Sequence, residues 1–290
     1  MQVLVLLANP AEPALDDAIA ARVLAATGGD LDWLAPRLAC EIASPKSSDP
    51  EALARQALSG LPVDVALVPG EHRRKRLLVA DMDSTMINQE SIDELAAAAG
   101  VGDRVAAITA RAMAGELDFE ASLETRVALL KGLTRRTVED VRRERITLAP
   151  GGRALVHTMK AYGARTALVS GGFTLFACYF ARRIGFDEAL ANTLEFDGDC
   201  LAGTVQKPIV GRDAKRRRLV ALTAELGLQP ADTLAVGDGA NDLDMLGAAG
   251  LGVALRARPA VAEQAAVRID HADLTALLYL QGYRDAEIVR

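Results

Sequence analysis

The chain has 290 residues, half of them hydrophobic and a quarter charged, which is the composition of a globular enzyme with one or two domains. Its net charge of −6 argues against a broad nucleic-acid interface, because such an interface requires a basic surface. The three cysteines, Cys40, Cys178 and Cys200, form no CxxC pair, so no disulfide framework or zinc site is expected and a reducing cytoplasm fits.

The N-terminal residues MQVLVLLANPAEP predict a strand rather than a signal peptide. No basic segment precedes the apolar run, and Pro10 ends it. No apolar run in the chain approaches the ~20 residues that a membrane helix needs. We therefore expect a soluble, cytoplasmic protein with no membrane partner.

Residues 1–74 are predicted to form a small ferredoxin-like α+β domain, with elements in the order βαββαβ. Its second helix has a clear start, because Asp49 is a good N-cap and Pro50 suits the first helical position. We find no catalytic constellation in this block. The predicted strands are 1–8, 31–34, 38–42 and 63–68, and the first helix is 16–26.

A basic run, EHRRKR at residues 71–76, follows this block. It is compatible with a nucleic-acid patch, but nothing around it supports that function. The preferred interpretation is a solvated linker.

From Leu77 onward, apolar strands alternate with helical segments, so residues 75–290 are predicted to form an α/β domain with a doubly wound, Rossmann-like parallel sheet. In such sheets the site lies outside the carboxyl ends of the strands. Three predicted strands end in polar, glycine-rich turns, which can converge there. The predicted strands are 77–80, 166–169, 233–236 and 250–254.

A long insertion between the first and second of these strands is predicted to be a helical cap, at about residues 90–150. A single crossover does not need so many helices. A hairpin with Asp197-Gly198 at its turn is predicted farther along. The predicted cap helices are 92–99, 104–114, 119–130 and 137–145.

Two pairs of acids follow buried strands: Asp81 with Asp83, and Asp238 with Asp242. Residues i and i+2 on extended backbone face the same way, so Asp81 and Asp83 can address one site. The alternatives are that Asp-Ser-Thr caps a helix and that GDGAND is an ordinary turn. Because the acids lie at two strand ends of one parallel sheet, a divalent cation such as Mg²⁺ between the two ends would offset their charge.

The segment Ser170-Gly171-Gly172 precedes a predicted helix, where small residues let backbone N–H groups approach an anion. A lysine would suit a phosphate group, and both Lys207 and Lys215 are candidates that spacing alone does not separate. The three histidines, at positions 72, 157 and 271, show no metal-ligand spacing and are read as structural or surface residues.

These motifs together resemble the haloacid dehalogenase (HAD) superfamily of phosphohydrolases. DMDST, SGG, Lys215 and GDGAND occur in the family's order over residues 77 to about 271, and the cap extends the match. The segments DMDSTMINQESIDELA and AMAGELDFEASLETRVALLKGL are most similar to members that act on O-phosphoserine. The first block resembles the ACT-like domain of many bacterial members in topology only.

The resemblance implies that Asp81 is the nucleophile that forms an aspartyl-phosphate. Asp83 would be the general acid and then the general base. Mg²⁺ would be held by the Asp81 carboxylate, the Asp83 backbone carbonyl and Asp238. The phosphoryl group would be held by Ser170, the Gly171 amide and the lysine that the family spacing selects. That lysine is Lys215, and Asn241 near the phosphate and Asp242 beside Lys215 complete the implied set.

The resemblance also implies that the cap selects the substrate. Glu90 would face an ammonium group and Arg126 a carboxylate, while Met113 and Phe119 would form an apolar wall. Without the resemblance, Glu90 and Arg126 would be read as ordinary surface charges. The implied reaction converts O-phospho-L-serine into L-serine and phosphate, the last step of serine biosynthesis.

Three alternatives stay open at this point. The chain could act on another small phosphomonoester, or transfer the phosphoryl group to an alcohol such as homoserine. It could be a phospho-accepting regulatory module, although Asp83 and the large cap argue against this. A purely binding protein would leave the motifs unexplained. An ACT-like domain can pair with a second copy, so a homodimer is one expected assembly, and whether that domain binds serine is open.

Overall fold

The computed structural model describes residues 2–113 and 116–290, and the side chain of Met113 also lies outside this description. The described residues form a four-stranded sheet, a six-stranded sheet and a two-stranded hairpin. None of the described helices has both the length and the apolar character needed to cross a membrane.

The N-terminal unit, residues 2–69, has the predicted βαββαβ order, and its antiparallel strands pair in the ferredoxin-like order β2-β3-β1-β4. The side chains of Asp16 and Asp49 cap the two helices, as the sequence predicts for Asp49. The elements are β1 (Gln2–Ala8), α1 (Asp17–Thr27), β2 (Asp30–Ala35), β3 (Ala39–Ala43), α2 (Pro50–Ala57) and β4 (Val63–Pro69).

Strand β1 is continuously apolar because both of its faces are buried. Leu4 and Leu6 pack with the helices α1 and α2. Val3 and Val5 belong instead to a cluster that includes Leu277 of the C-terminal unit, residues 77–290. The rest of the molecule therefore covers the sheet face that α1 and α2 leave free. The boundary predicted at residue 74 lies between β4 and the next strand, and it stays a prediction.

The C-terminal unit contains the predicted parallel sheet, with strand order β12-β11-β10-β5-β6-β7. The predicted fold class is confirmed. Two edge strands, β7 and β12, were not predicted. The strands are β5 (Leu77–Ala80), β6 (Arg165–Phe173), β7 (Glu188–Asn192), β10 (Thr233–Gly237), β11 (Leu251–Leu255) and β12 (Val267–Ile269).

Helices lie on both faces of this sheet, because alternate strand residues join two separate apolar clusters. Two 3₁₀ turns, Pro230–Asp232 and Asp285–Glu287, complete the connections. The helices outside the cap are α7 (Gly152–Ala161), α8 (Thr174–Ile184), α9 (Arg212–Glu225), α10 (Leu243–Ala248), α11 (Pro259–Ala262) and α12 (Ala276–Leu280).

The described residues between β5 and α7 form four cap helices, close to the predicted bounds: α3 (Ser91–Ala98), α4 (Gly102–Met113), α5 (Phe119–Ala128) and α6 (Arg135–Glu144). Residue 114, where the second predicted cap helix ends, lies outside the described residues. The hairpin β8 (Leu194–Asp197) and β9 (Cys200–Val205) braces the cap. The Gly132 amide donates to Leu201 O, and the Leu201 amide donates to Leu133 O, each at 2.9 Å. The turn itself is Gly198-Asp199, because Asp197 still pairs with Cys200. The predicted turn was one residue too early.

The basic run after β4 is a linker with Glu71, His72, Arg74 and Arg76 exposed, but Arg73 and Lys75 are not solvated, so the prediction was correct only in part. Arg73 Nη1 lies 2.7 Å from a carboxylate oxygen of Glu41. Lys75 is buried, and its Nζ donates to the carbonyls of His72 and Ala231, each at 2.6 Å. The run connects the N-terminal unit to the C-terminal unit through specific hydrogen bonds that its sequence does not reveal.

Candidate active site

Asp81 lies at the carboxyl edge of the parallel sheet, directly after β5. Its amide donates to Val236 O of β10 at 3.0 Å, so this hydrogen bond fixes Asp81 to the end of the neighbouring strand. Oδ1 of Asp81 accepts a hydrogen bond from the Met82 amide at 2.8 Å and lies 2.7 Å from Nζ of Lys215. The carboxylate is thus buried but held by one cation and one amide.

Asp83 is buried beside Asp81 but has different partners. Its Oδ1 accepts from the Ser91 amide in the first turn of α3 at 2.6 Å, and its Oδ2 accepts from the Ser170 hydroxyl at 3.1 Å. A Cβ on Gly172 would lie 2.5 Å from Oδ2 of Asp83, so only glycine lets the strand pass this close. The Ser170-Gly171-Gly172 segment is the end of β6 and not a separate turn, which corrects the sequence prediction.

Lys215 is the lysine at this edge of the sheet. It is fully buried in the first turns of α9, and its Nζ lies 2.7 Å from Oδ1 of Asp81 and 2.7 Å from Oδ1 of Asp242. The other oxygen of Asp242 accepts from the Gly239 amide at 3.0 Å. Lys207, the competing candidate, is exposed and pairs with Glu124 of the cap at 2.7 Å.

Asp238 completes an acidic cluster with Asp81 and Asp242. One carboxylate oxygen from each of these residues lies within 4.8 Å of the others. The buried Thr85 donates from Oγ1 to Oδ1 of Asp238 at 2.9 Å. Both carboxylate oxygens of Asp242 have partners, Lys215 and the Gly239 amide, whereas the contacts of Asp81 and Asp238 use Oδ1 only. Asp81 and Asp238 are therefore the cluster members better placed to hold a cation.

Among the described residues, the charges at this edge do not balance: the carboxylates of Asp81, Asp83, Asp238 and Asp242 lie near a single ammonium group, that of Lys215. Burial raises the pKa of Asp83, and burial together with Asp242 raises the pKa of Asp81 and that of Asp238, the latter to about 6. Burial opposes the charge on Lys215, but Asp242 and Asp81 raise its pKa above the ordinary value. A hard divalent cation fits this surplus of oxygen donors.

Two charged residues border the site from the cap side. Ser84, which has a positive φ of 55°, donates from Oγ to Oε1 of Glu90 at 2.7 Å. Glu90 is exposed, yet protein packed around its carboxyl group and the nearby Asp83 raise its pKa to about 7. Burial lowers the pKa of Arg126, although Asp93 and Glu90 oppose this shift. Arg126 donates from Nε to the carbonyl of Ser122 at 3.3 Å.

Phe119, the first residue of α5, reaches from the cap to the Ser170-Gly171-Gly172 segment. A Cβ on Gly171 would lie 3.1 Å from Cζ of its ring. The predicted wall residue Met113 has its side chain outside the described part of the structure. Asn241 is partly buried, and its Oδ1 would lie 2.2 Å from a Cβ on Gly239, so it lies against the acidic loop.

Sequence analysis missed Thr85 and Ser91 as partners of the acids. Both have signals in hindsight, since Thr85 belongs to DMDST and Ser91 follows Glu90 at a helix start. The other predicted residues, with the exception of the Met113 side chain, are brought to the carboxyl edge of the sheet or to the cap that faces it. Their chemical roles stay predictions.

The sequence model of the haloacid dehalogenase-like hydrolases matches residues 78–247, which include the loop after β5, the Ser170 segment, Lys215 and the acidic loop. This match covers more than half of the chain. The protein therefore belongs to the haloacid dehalogenase-like hydrolase family.

Within this family the chain is similar to phosphoserine phosphatases. One from Streptomyces coelicolor is 48% identical over 239 residues, which are 82% of this chain and 58% of the relative, so this chain spans little more than half of that protein. A substrate-bound phosphoserine phosphatase structure has 40% identity and a TM-score of 0.66 over 71% of this chain and 97% of its own. A family hydrolase from Salmonella enterica serovar Typhi has 30% identity and a TM-score of 0.84 over 97% and 98%.

Proposed function

We propose that the chain is a Mg²⁺-dependent phosphoserine phosphatase that converts O-phospho-L-serine and water into L-serine and phosphate. The observation that carries the proposal is the separate environment of the two acids: Asp81 lies against Lys215, and Asp83 lies against Ser91 and Ser170. The 48% identity to a phosphoserine phosphatase supports the choice of substrate.

In the first step, an Asp81 carboxylate oxygen attacks phosphorus while the bond from phosphorus to the serine oxygen breaks. Asp83 gives its proton to the departing oxygen, so serine leaves as a neutral alcohol. The raised pKa of Asp83, caused by burial, favours the protonated form that this step needs. The product on the enzyme is an aspartyl-phosphate.

In the second step, water attacks phosphorus and Asp83 accepts a proton from that water. The bond between phosphorus and the Asp81 oxygen breaks, which releases phosphate and restores the carboxylate. Lys215, the Ser170 hydroxyl and the Gly171 amide hold the phosphoryl oxygens, and Asn241 lies beside them. Asp242 fixes the Lys215 ammonium group for this task.

A bound Mg²⁺ would be held by Asp81, the Asp83 carbonyl and Asp238, and it supplies positive charge that reduces repulsion between Asp81 and the phosphate. The cap supplies selectivity. Glu90 faces the substrate ammonium, and Arg126 presents a planar fork to its carboxylate. A substrate that carries both groups therefore binds better than a simple phosphomonoester.

The test is phosphate release from a panel of esters, with Mg²⁺ and with a chelator. We expect kcat/KM for O-phospho-L-serine to exceed that for phosphoethanolamine and p-nitrophenyl phosphate by at least about tenfold, and the chelator to abolish turnover. Comparable efficiency on all three esters would contradict the substrate assignment. Stable phosphoprotein without phosphate release would favour a regulatory module, and phosphate transfer to added homoserine would favour a phosphotransferase.

The proposal includes a small-molecule substrate, a place in serine biosynthesis, a cytoplasmic location and no nucleic-acid or membrane partner. A homodimer through the N-terminal unit is compatible with β2 being an edge strand of its sheet. Sedimentation of the full chain measures the assembly. Repeating the substrate assay with added L-serine tests whether the N-terminal unit responds to the product.

A further inference from the structure

The side chain of Asn192, a residue without an assigned role, joins two segments of the candidate site. Asn192 is buried at the end of β7. Its Nδ2 donates to Gly171 O at 2.8 Å and to Val210 O at 3.1 Å, and its Oδ1 accepts from the Val210 amide at 2.7 Å. One amide group thus ties the phosphate-binding end of β6 to the residue that leads into α9 and Lys215.

The same contacts close the base of the hairpin that braces the cap. Asn192 lies two residues before β8, and Val210 lies five residues after β9. The hairpin in turn exchanges backbone hydrogen bonds with the cap at Gly132 and Leu133. Asn192 therefore lies where the phosphate-binding segment, the lysine helix and the support of the cap meet.

Two glycines on the segments tied by Asn192 flank the ring of Phe119. A Cβ on Gly171 would lie 3.1 Å from Cζ, and a Cβ on Gly211 would lie 3.1 Å from Cδ1 of that ring. Gly211 has φ −114° and ψ −161°, an extended conformation that any residue adopts, and Gly171 does not have a positive φ either. Neither glycine is required by its backbone conformation, and the Phe119 ring is the nearest group that a Cβ at either position would meet.

We propose that Gly171 and Gly211 form a seat for the Phe119 ring and that Asn192 is the positioning residue that holds this seat in place. The seat then sets how closely the cap approaches the phosphate-binding segment. The inference rests on the proposed function, because the approach of the cap matters to catalysis only when a substrate lies beneath it.

The first test combines Gly211→Ala with Phe119→Leu. In the wild-type background we expect Gly211→Ala to lower kcat/KM for O-phospho-L-serine about tenfold, because the new Cβ displaces the ring. In the Phe119→Leu background the same change has less than a twofold effect, since the smaller side chain leaves room. Equal losses in both backgrounds, or no loss in either, would overturn the seat.

Gly211 is also the N-cap of α9, so a capping effect needs its own control. Serine caps a helix better than alanine does. A capping effect therefore predicts that Gly211→Ser is harmless, whereas the seat predicts the same loss of activity for serine and alanine, because both add a Cβ. A fully active Gly211→Ser enzyme would contradict the proposal.

The second test compares two isosteric amide-to-acid changes. Asn192→Asp keeps the shape but removes both donors, and we expect at least a tenfold fall in kcat/KM. Gln281→Glu makes the same change at a buried amide whose Nε2 donates to Leu277 O, away from the cap, and should leave kcat/KM within twofold. Equal effects of the two variants on kcat/KM would make Asn192 a general structural residue and overturn its role.

A substrate-independent measurement separates this inference from the proposed function. Urea unfolding of the wild type, Phe119→Leu, Gly211→Ala and the double variant reports whether the two positions interact, whichever ester the enzyme hydrolyses. A nonzero coupling supports the seat even if O-phospho-L-serine is not the substrate. If the coupling energy is zero in an enzyme that does hydrolyse this ester, the proposed seat is contradicted and the proposed function is unaffected.

Discussion

Two regions of the molecule bury charged side chains, and they stabilise those charges differently. At the carboxyl edge of the parallel sheet, the described residues include four neighbouring carboxylates and a single ammonium group, that of Lys215, which contacts two of them. At the junction of the two units, backbone groups satisfy the charges instead. The buried Asp64 carboxylate accepts hydrogen bonds from the amides of residues 270–272, and the Lys75 ammonium group donates to two carbonyls.

This difference distinguishes the sheet edge, where the buried charges are not balanced, from the junction, where they are. A buried charge is costly unless paired or hydrogen-bonded. The junction meets this cost within the chain, since the Asp64 carboxylate and the Lys75 ammonium group both have backbone partners. The sheet edge does not, and the pKa of Asp81, Asp83 and Asp238 is raised as a result. This surplus of negative charge is what the proposed cation would balance.

The largest effect is expected at the sheet edge. Asp81→Asn removes the proposed nucleophile while keeping its shape, so we expect kcat for phosphate release to fall at least ~1,000-fold, with no phosphorylated protein detected by mass spectrometry. The exposed Asp17→Asn serves as a control and should be fully active. A variant that still releases phosphate at the normal rate would remove Asp81 from the chemistry.

The junction should respond in stability and not in activity. Asp64→Asn places an amide group, itself a donor, against backbone N–H donors, so we expect unfolding to become easier by about 3 kcal/mol in urea titration. Its kcat/KM should stay within about twofold of wild type. The exposed Asp30→Asn on β2 is the matched control and should change the free energy of unfolding by less than about 0.5 kcal/mol.

A large loss of activity in folded Asp64→Asn protein would mean that the junction belongs to the site. If the substitution lowered the free energy of unfolding by less than about 1 kcal/mol, the amides of residues 270–272 would be hydrogen-bonded to water in the variant. Either result would break the distinction between the two regions.

The two regions also differ in how far the sequence predicts them. At the sheet edge, local patterns locate the acids, because a short apolar strand runs directly into Asp81 and another into Asp238. Parallel strands bring such ends together wherever they lie in the chain. The choice between Lys207 and Lys215 needed more than spacing, since both lysines precede or begin the same helix.

At the junction, the sequence gives no local signal. Asp64 and its partner amide at Asp270 are 206 residues apart, and backbone amides carry no sequence pattern. The basic run looked solvated because five of its six residues at 71–76 are basic, whereas the burial of Lys75 depends in part on the carbonyl of Ala231, which is 156 residues away. The sequence also did not predict strands β7 and β12 or the contact of the hairpin with the cap. The neighbours of these elements are set by tertiary packing and not by a local pattern.

Arg126, in the cap, is a cation without a carboxylate partner in the part of the chain that the structure describes. It offers a finer test of the idea that an unbalanced charge indicates a ligand-binding site. Within residues 2–113 and 116–290, Arg126 forms no ion pair, and its Nε donates to Ser122 O. We expect Arg126→Lys to lower kcat/KM for O-phospho-L-serine about 30-fold, or ~2 kcal/mol, because lysine lacks the planar fork. With p-nitrophenyl phosphate, which has no carboxylate, the change should be within twofold.

The exposed Arg104→Lys in α4 is the control for this substitution and should behave as wild type on both esters. Equal losses on the two substrates would indicate that Arg126 supports the cap in general. In that case an unpaired cation would not be evidence of a substrate carboxylate.

The smallest effect is expected at Arg74, where the junction combines an ion pair with aromatic contacts. Its guanidinium lies 4.3 Å from the ring centre of Tyr283 and 5.1 Å from that of Tyr162, and it pairs with Glu287 at 2.7 Å. The Arg74 side chain is 44% exposed, so the ion pair should contribute little. We expect Glu287→Gln to reduce the free energy of unfolding by at most ~0.5 kcal/mol, and this loss should shrink in 1 M salt.

Arg74→Lys keeps the charge but loses the flat group that stacks on the two tyrosines, so we expect a loss of about 1 kcal/mol that salt does not change. Urea titrations of both variants at low and high salt measure the two contributions separately. If the Arg74→Lys loss disappeared in salt, charge would dominate here as it does at the sheet edge. A salt-independent loss means that the junction is stabilised by packing and hydrogen bonds, with its charges already balanced, whereas the sheet edge keeps a surplus that only a ligand can balance.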